Sequence, residues 1–213
     1  DVSMEKCREE FRNISGDDRI DGILLLRPLP PQLDEKEIER MIDPAKDLDG
    51  ISPENIARVF AGDETGFAPC TAEAVVRMLK SYEVPIEGKR AVIVGRSAVV
   101  GRPLAMLLLK EHATVTVCHT RTRDLERVCR EAEILVAAAG KPRMIGAAHV
   151  REGAVAVDVG INVDENGKLC GDIDFEAVSE KASMATPVPG GVGAVTTAVL
   201  AEHLVRAAAM RRK

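Results

Sequence analysis

The chain has 213 residues, 46% hydrophobic content and a formal net charge of -5, enough apolar material for one or two globular cores. One Tyr, four Phe and no Trp leave little aromatic surface for stacking on bases, and the acidic balance argues against a nucleic-acid partner. No apolar run approaches the roughly 18 to 20 residues of a membrane span and no N-terminal signal pattern is read, so a cytoplasmic chain with no membrane partner is expected.

Residues 2–14, with Val2, Met4, Cys7, Phe11 and Ile14 as apolar members, are predicted as an amphipathic helix that Asp17 and Asp18 break. DGILLLRPLP then reads as a buried strand over Ile23–Leu26 closed by Arg27 and a proline-rich corner, and a helix over Asp34–Met41 follows with Asp34 as its cap. Segment 43–71 has little periodicity and many turn formers, the pattern of a functional loop. Within it Asp47 and Asp49 flank Leu48 in front of Gly50, and read either as a charged turn or as a carboxylate lining a cleft. Thr71 is placed to cap a helix over Ala72–Tyr82, with Glu73 in its first turn.

The rest of the chain hangs on GKRAVIVGRSAVVGRPLAMLLLK, residues 88–110: a strand over Ala91–Val94, a glycine turn, and a helix opening at Pro103. Gly95 permits a sharp turn at the strand's carboxyl end, and Gly101 permits backbone to come close to a ligand. A helix N-terminus with unpaired N–H groups suits an anion, a pyrophosphate above all. The spacing departs from G-x-G-x-x-G, because Ser97 stands where the second glycine belongs and Gly101 falls one residue late. A strand-turn-helix corner holding no ligand is the plain alternative. Arg96 and Ser97, however, have little packing reason to sit on this turn and a good phosphate-binding one.

A second strand over Ala113–Cys118 leads into His119-Thr120-Arg121-Thr122-Arg123. A domain selective for NAD usually ends this strand in an acid that takes the ribose 2′-hydroxyl, whereas a 2′-phosphate wants cations and hydroxyls. Here the first acid is Asp124, so NADP is the expected cofactor; a solvated charge run is the alternative. Helix 124–131, strand Ile134–Ala138, a short helix near 147–150, strand Ala154–Val159, a hairpin turn at 164–168 and helical turns within 174–181 continue a βα alternation. That alternation predicts an α/β fold with a Rossmann-like parallel sheet. Gly140 and Gly160 each follow a strand, where ligands sit in open α/β sheets. Pro187, Pro189, Gly190, Gly191 and Gly193 form a loop too glycine-rich for a passive connector. A helix over Ala194–Ala209 follows, and Arg211, Arg212 and Lys213 beyond it complement its dipole. Five cysteines without a C-x-x-C pair read as reduced thiols, and four histidines far apart in the chain argue against a metal site.

Taken together, DGILLLRPLP (21–30), DPAKDLDG (43–50), PCTAEAV (69–75), VGRSAVVGRP (94–103), TVCHTRT (116–122), VDVGIN (157–162), GKLCGDIDF (167–175) and TPVPGGVGAVTT (186–197) closely resemble the bifunctional methylenetetrahydrofolate dehydrogenase/cyclohydrolase family. The resemblance implies NADP-dependent oxidation of 5,10-methylenetetrahydrofolate to the methenyl form, then water attack giving 10-formyltetrahydrofolate. It implies that Arg96 and Ser97 with Thr120 hold the ribose phosphate, joined by Arg121. Thr71, Gly95, Val100, Gly101 and Ile161 would line the cofactor. Asp49 would act on the folate by hydrogen-bonding the pterin ring, and Pro189, Gly190 and Gly191 would border it. It further implies a partial folate-binding domain over 1–72, a Rossmann-like NADP-binding domain over 73–186, and a glycine loop with a C-terminal helix over 187–213 that completes the first. A homodimer is the family expectation.

Departures from the family pattern point to a second reading. The family carries, upstream of the present start, a Tyr-x-x-x-Lys segment whose lysine is central to cyclohydrolase chemistry, and its usual Gln aligns with Leu26. Ala72 and Ala194 each replace a common Pro. The chain therefore looks like a family member lacking about its first quarter, expected to bind NADP with negligible cyclohydrolase activity and at most weak dehydrogenase activity. The alternative is a non-catalytic NADP-binding or assembly module; another two-domain NADP dehydrogenase fits less well, because the folate-side motifs around Asp49 and Gly190 match in order.

Overall fold

The structure is a computed structural model and describes residues 2–212; Lys213, expected past the last helical turn, lies outside the described residues. The chain clusters into two units, Asp1–Cys70 with Ala198–Lys213, and Thr71–Thr197.

In the first unit, α1 (Met4–Gly16) is capped by Ser3, whose hydroxyl accepts from the Lys6 amide, and α2 (Glu35–Met41) by Asp34, which accepts from the Lys36 and Glu37 amides. Segment 43–71 is not the bare loop that its composition suggested. It holds α3 (Pro53–Ala61), which starts on a Ser52 cap with Pro53 in the first turn and stops at Gly62 in the left-handed region. The helix is short, and its inward positions include Asn55 as well as Val59, so the apolar period is too sparse to read. Buried Asp47 accepts from the Ile51 and Ser52 amides and from Asn55 Nδ2 at 2.7–3.1 Å, folding the segment around a carboxylate. Lys46 is 2% exposed, its ammonium donating to the Ser15 and Asp17 carbonyls.

The strand expected over Ile23–Leu26 is corrected to a single bridge, Ile23 with Asp47. Only Ile23 is buried, and Leu26 is 75% exposed. A leucine run by itself does not supply the paired neighbour that a buried strand needs.

The second unit is built on a five-stranded, all-parallel sheet. After α4 (Cys70–Ser81) come β1 (Arg90–Val94), α5 (Gly101–Lys110), β2 (Thr114–Cys118), α6 (Leu125–Arg130), β3 (Ile134–Ala137) and β4 (Val155–Asp158). The antiparallel pair β5 (Asn162–Val163) and β6 (Leu169–Cys170) forms a separate two-stranded sheet, followed by α7 (Phe175–Ser179) and β7 (Met184–Ala185). The main sheet runs β2-β1-β3-β4-β7. Central β1 and β3 are near-continuous apolar runs because both faces are covered, whereas edge strand β2 alternates, with Thr114 and Thr116 exposed. Chain order reverses between β1 and β3, which opens a crevice at their carboxyl ends. The parallel register sets Val94 level with Cys118 and with Ala137, so Gly95, His119 and Ala138 leave the sheet side by side. Cys118 and Cys129 lie in the core beside the sheet, and burial pushes the Cys129 thiol up to about 12, far from nucleophile range.

The final helix, α8 (Val192–Arg211), begins two residues before Ala194. By length and composition alone it is apolar enough to cross a membrane, with a mean hydropathy of 1.2 over 18 residues, a measure the sequence reading did not anticipate because Glu202, His203 and Arg206 interrupt the run. Within the first unit, His203 is fully buried and its Nδ1–H donates to the Leu48 carbonyl at 2.8 Å. Arg206 stacks 4.2 Å from the Phe67 ring centre and donates to the Gly66 carbonyl. These bonds are those of a core helix.

Leu135, fully buried in β3, tests the sheet's role: Leu135→Ala should lower unfolding free energy by about 2–5 kcal/mol, measured by urea titration of both proteins.

Candidate cofactor and substrate sites

The turn after β1 is built on two close approaches. Gly95 has φ 140°, and a side chain there would meet the Ala138 carbonyl oxygen at 2.0 Å. A Cβ on Gly101 would meet the Gly95 carbonyl oxygen at 2.1 Å. Gly101 was expected to admit a ligand; it is buried beneath the turn and admits the turn's own backbone, letting α5 start two residues before Pro103. Ser97 also has a local task. Its hydroxyl accepts from the Val100 and Gly101 amides at 3.1 and 3.4 Å, satisfying donors that the missing glycine fingerprint would leave open, and its own proton remains free to donate.

Gly95, Arg96, Ser97 and Thr120 line a cavity of about 370 Å³, so four residues expected to hold cofactor are brought together. Arg121 is exposed and does not line it. The reason is a tight turn: the Arg121 amide donates to His119 Nδ1 and the Thr122 amide to the His119 carbonyl, leaving Thr120 and Thr122 on the cavity wall. His119 and Lys141 complete the wall; from sequence His119 heads the run after β2 and Lys141 follows the third strand on the cofactor side, but neither was assigned a site role. Two cations and three hydroxyls face this space without a carboxylate among its lining residues. That set fits a ribose 2′-phosphate and lacks the acid that would take a 2′-hydroxyl.

A second cavity of about 500 Å³ gathers Thr71, Val100, Ile161, Pro189, Gly190 and Gly191, joining expected cofactor and folate residues around one space. Thr71 lies inside α4 and does not cap it. Gly190 has φ 100°, and a Cβ on Gly191 would meet the Pro187 carbonyl oxygen at 2.5 Å; the loop therefore needs both glycines for its own path.

Buried Asp158 and Asp172 fix the carboxyl ends of β3 and β4. Asp172 accepts from the Ala139, Gly140 and Lys141 amides at 2.5–2.9 Å and from Asn162 Nδ2 at 2.9 Å. Asp158 accepts from the Gly160, Asp172 and Ile173 amides at 2.8–3.0 Å. Each occupies the space of a side chain missing from a glycine: a Cβ on Gly171 would lie 1.9 Å from Asp158 Oδ2, and one on Gly160 2.4 Å from Asp172. The signal was present in VDVGIN and GDIDF, although neither aspartate was named from it.

In the first unit, Asp49 is part-exposed. Its Oδ1 accepts from the Cys70 amide at 3.1 Å and its Oδ2 lies 3.8 Å from the Arg27 guanidinium. The adjacent Leu48 carbonyl accepts from the Cys70 thiol at 3.1 Å and from His203. Asp49 keeps lone pairs for an outside donor pair.

A dinucleotide-binding α/β unit with an anion cradle after its first strand is the class these features define. The description "Tetrahydrofolate dehydrogenase/cyclohydrolase, NAD(P)-binding domain" matches residues 69–212, and its "catalytic domain" counterpart matches residues 1–49. The bifunctional protein FolD of Alkaliphilus oremlandii is 55% identical over 207 residues, covering 97% of this chain and 73% of that protein. The crystal structure of the bifunctional FolD enzyme of Campylobacter jejuni superposes with a TM-score of 0.97 at 44% identity, covering 99% of this chain and 75% of that one. The Trypanosoma brucei methylenetetrahydrofolate dehydrogenase-cyclohydrolase, solved with NADP cofactor and inhibitor, superposes at 0.91 with 35% identity over 97% of this chain and 73% of that one. The chain belongs to the tetrahydrofolate dehydrogenase/cyclohydrolase family.

Burial raises the pKa of Asp158, opposed by its three backbone donors, with the charge of Asp172 adding to the rise. A raised folded-state value means the contribution is fully present below 3.8, the unfolded value, and is lost as pH rises through the folded one. Asp158→Asn should therefore be less stable by an offset that shrinks as pH rises above 3.8, read from urea midpoints across pH; a constant offset would contradict the burial argument.

Proposed function

We propose that the protein serves the family reactions, NADP-dependent oxidation of 5,10-methylenetetrahydrofolate to 5,10-methenyltetrahydrofolate and hydrolysis of that product to 10-formyltetrahydrofolate, and that this 213-residue chain, with Leu26 where the family's usual Gln stands, binds NADP with negligible cyclohydrolase activity of its own. The observation that carries the cofactor half is the carboxylate-free cavity with Arg96, Ser97 and Thr120 on its wall. NADP, when bound, supplies the hydride acceptor. Arg96 contributes a planar fork of donors to a phosphate, Ser97 donates the proton its capping role leaves free, and Thr120 adds a hydroxyl. Gly95 and Gly101 hold the turn, and Thr71, Val100 and Ile161 border the cofactor in the larger cavity. Arg121, exposed on the neighbouring turn, adds positive charge near the phosphate.

For the folate half, Asp49 reads the pterin edge by accepting two parallel N–H bonds, and Pro189, Gly190 and Gly191 border the folate. Its attachment to the Cys70 amide supports this reading, because it fixes one carboxylate oxygen and lowers the entropy lost when a substrate docks. The unit of residues 71–197 carries the cofactor, and residues 1–70 with 198–213 carry the pterin contact. A homodimer is supported by the exposed apolar hairpin residues Val163 and Leu169; the net charge of -5 supports a chain without nucleic acid.

Arg96→Ala should remove most of the preference for NADP over NAD, about ten- to a hundred-fold in Kd for one charge-assisted phosphate contact. Equal Kd values for the two cofactors in the unmutated protein would refute the cofactor assignment. Asp49→Asn keeps the size and the bond from Cys70 but turns the second acceptor oxygen into an NH2 donor, so calorimetric titration should show folate binding weakened at least ten-fold and NADP binding unchanged. Folate binding left intact would return Asp49 to a purely structural role.

A further inference from the structure

We infer that Lys141 is a specificity-determining residue for the cofactor, a second cation that, together with Arg96, takes the ribose 2′-phosphate; this rests on the NADP reading above. Lys141 stands on the wall of the 370 Å³ cavity, across the crevice from the β1 turn and on the loop after β3. Among the described residues neither its side chain nor that of Arg96 has an ion-pair or hydrogen-bond partner. Most basic side chains elsewhere in the second unit do: Lys89 pairs with Glu133 at 3.0 Å, Lys80 with Glu111 at 2.6 Å, and Arg143 with Asp164 at 3.3 Å. Two cations left uncompensated on one carboxylate-free cavity make a positive pocket, and a doubly charged phosphate neutralises it.

The backbone beneath Lys141 is fixed in advance. Gly140 sits at φ 63° and Pro142 follows, restricting Lys141 to extended conformations. The carboxylate of Asp172, fully buried, binds the amides of residues 139, 140 and 141 together. A lysine carried on a loop tied at three successive amides gives up less freedom on meeting a ligand than one on a mobile loop. Asp172 is thus a positioning residue for Lys141, and the lysine stem alone must order.

The competing assignment is that Lys141 meets the cofactor's diphosphate, which NAD and NADP share. Calorimetric titration of the full chain with NADP, NAD and 2′,5′-ADP separates the two. Lys141→Met should raise the Kd for NADP and for 2′,5′-ADP about ten-fold while leaving that for NAD within about two-fold, and Lys141→Arg should restore most of the loss. An unchanged NADP Kd in a protein whose unmutated form prefers NADP would overturn this inference and leave the cofactor reading standing. Equal losses for NADP and NAD would overturn it in favour of the diphosphate. No preference for NADP in the unmutated protein would overturn both.

Discussion

Two buried carboxylates, Asp158 and Asp172, and the two glycines that make room for them set the geometry on which the cofactor unit depends. Asp172 gathers the loop after β3 by three amides, and Asp158 gathers the loop after β4 with the start of the segment that follows β6. The exchange is reciprocal. Gly171 vacates the space Asp158 fills, Gly160 vacates the space Asp172 fills, and the Asp172 amide itself donates to Asp158. Because Ala138, Ala139 and Lys141 line the smaller cavity and Asp158, Gly160 and Ile161 the larger, one interlock shapes a wall of both.

The energetic logic follows from what a buried charge requires. A carboxylate removed from water costs several kcal/mol unless its lone pairs are met, and here seven donors, four on Asp172 and three on Asp158, meet them. The donors are mostly backbone amides at strand ends, groups that would otherwise be orphaned where the sheet stops. The interlock thus stabilises loops with little apolar surface and holds them open at the crevice. The turn after β1 uses a different device toward the same end, replacing a fingerprint glycine by Ser97, whose hydroxyl occupies two amides.

Much of this was legible in the sequence, for reasons that differ by element. Buried parallel strands such as β1 and β3 are apolar throughout, and the glycine turn after β1 has few alternative meanings. The motif series named the family before any geometry was known. What could not be read depends on contacts distant in the chain. Asp172 and Lys141 are 31 residues apart in sequence and joined only by the fold. Ile23–Leu26 had the composition of a strand, but composition does not say whether a neighbour is there to pair with it. Gly101 was expected to let backbone approach a ligand, yet what it lets approach is the Gly95 carbonyl, part of the turn itself. The 53–61 helix was hidden because its core-facing face carries an asparagine that serves the Asp47 network.

The central claim is that the cavity beside the β1 turn is a ribose 2′-phosphate site, and the most direct measurement is a crystal structure of the chain grown with NADP. The account predicts phosphate density within hydrogen-bonding distance of Arg96 and Ser97, with the Lys141 ammonium closing on the same oxygens. A cofactor whose 2′-phosphate lies in solvent, or whose adenosine end occupies the larger cavity bordered by Gly190 and Gly191, would contradict it.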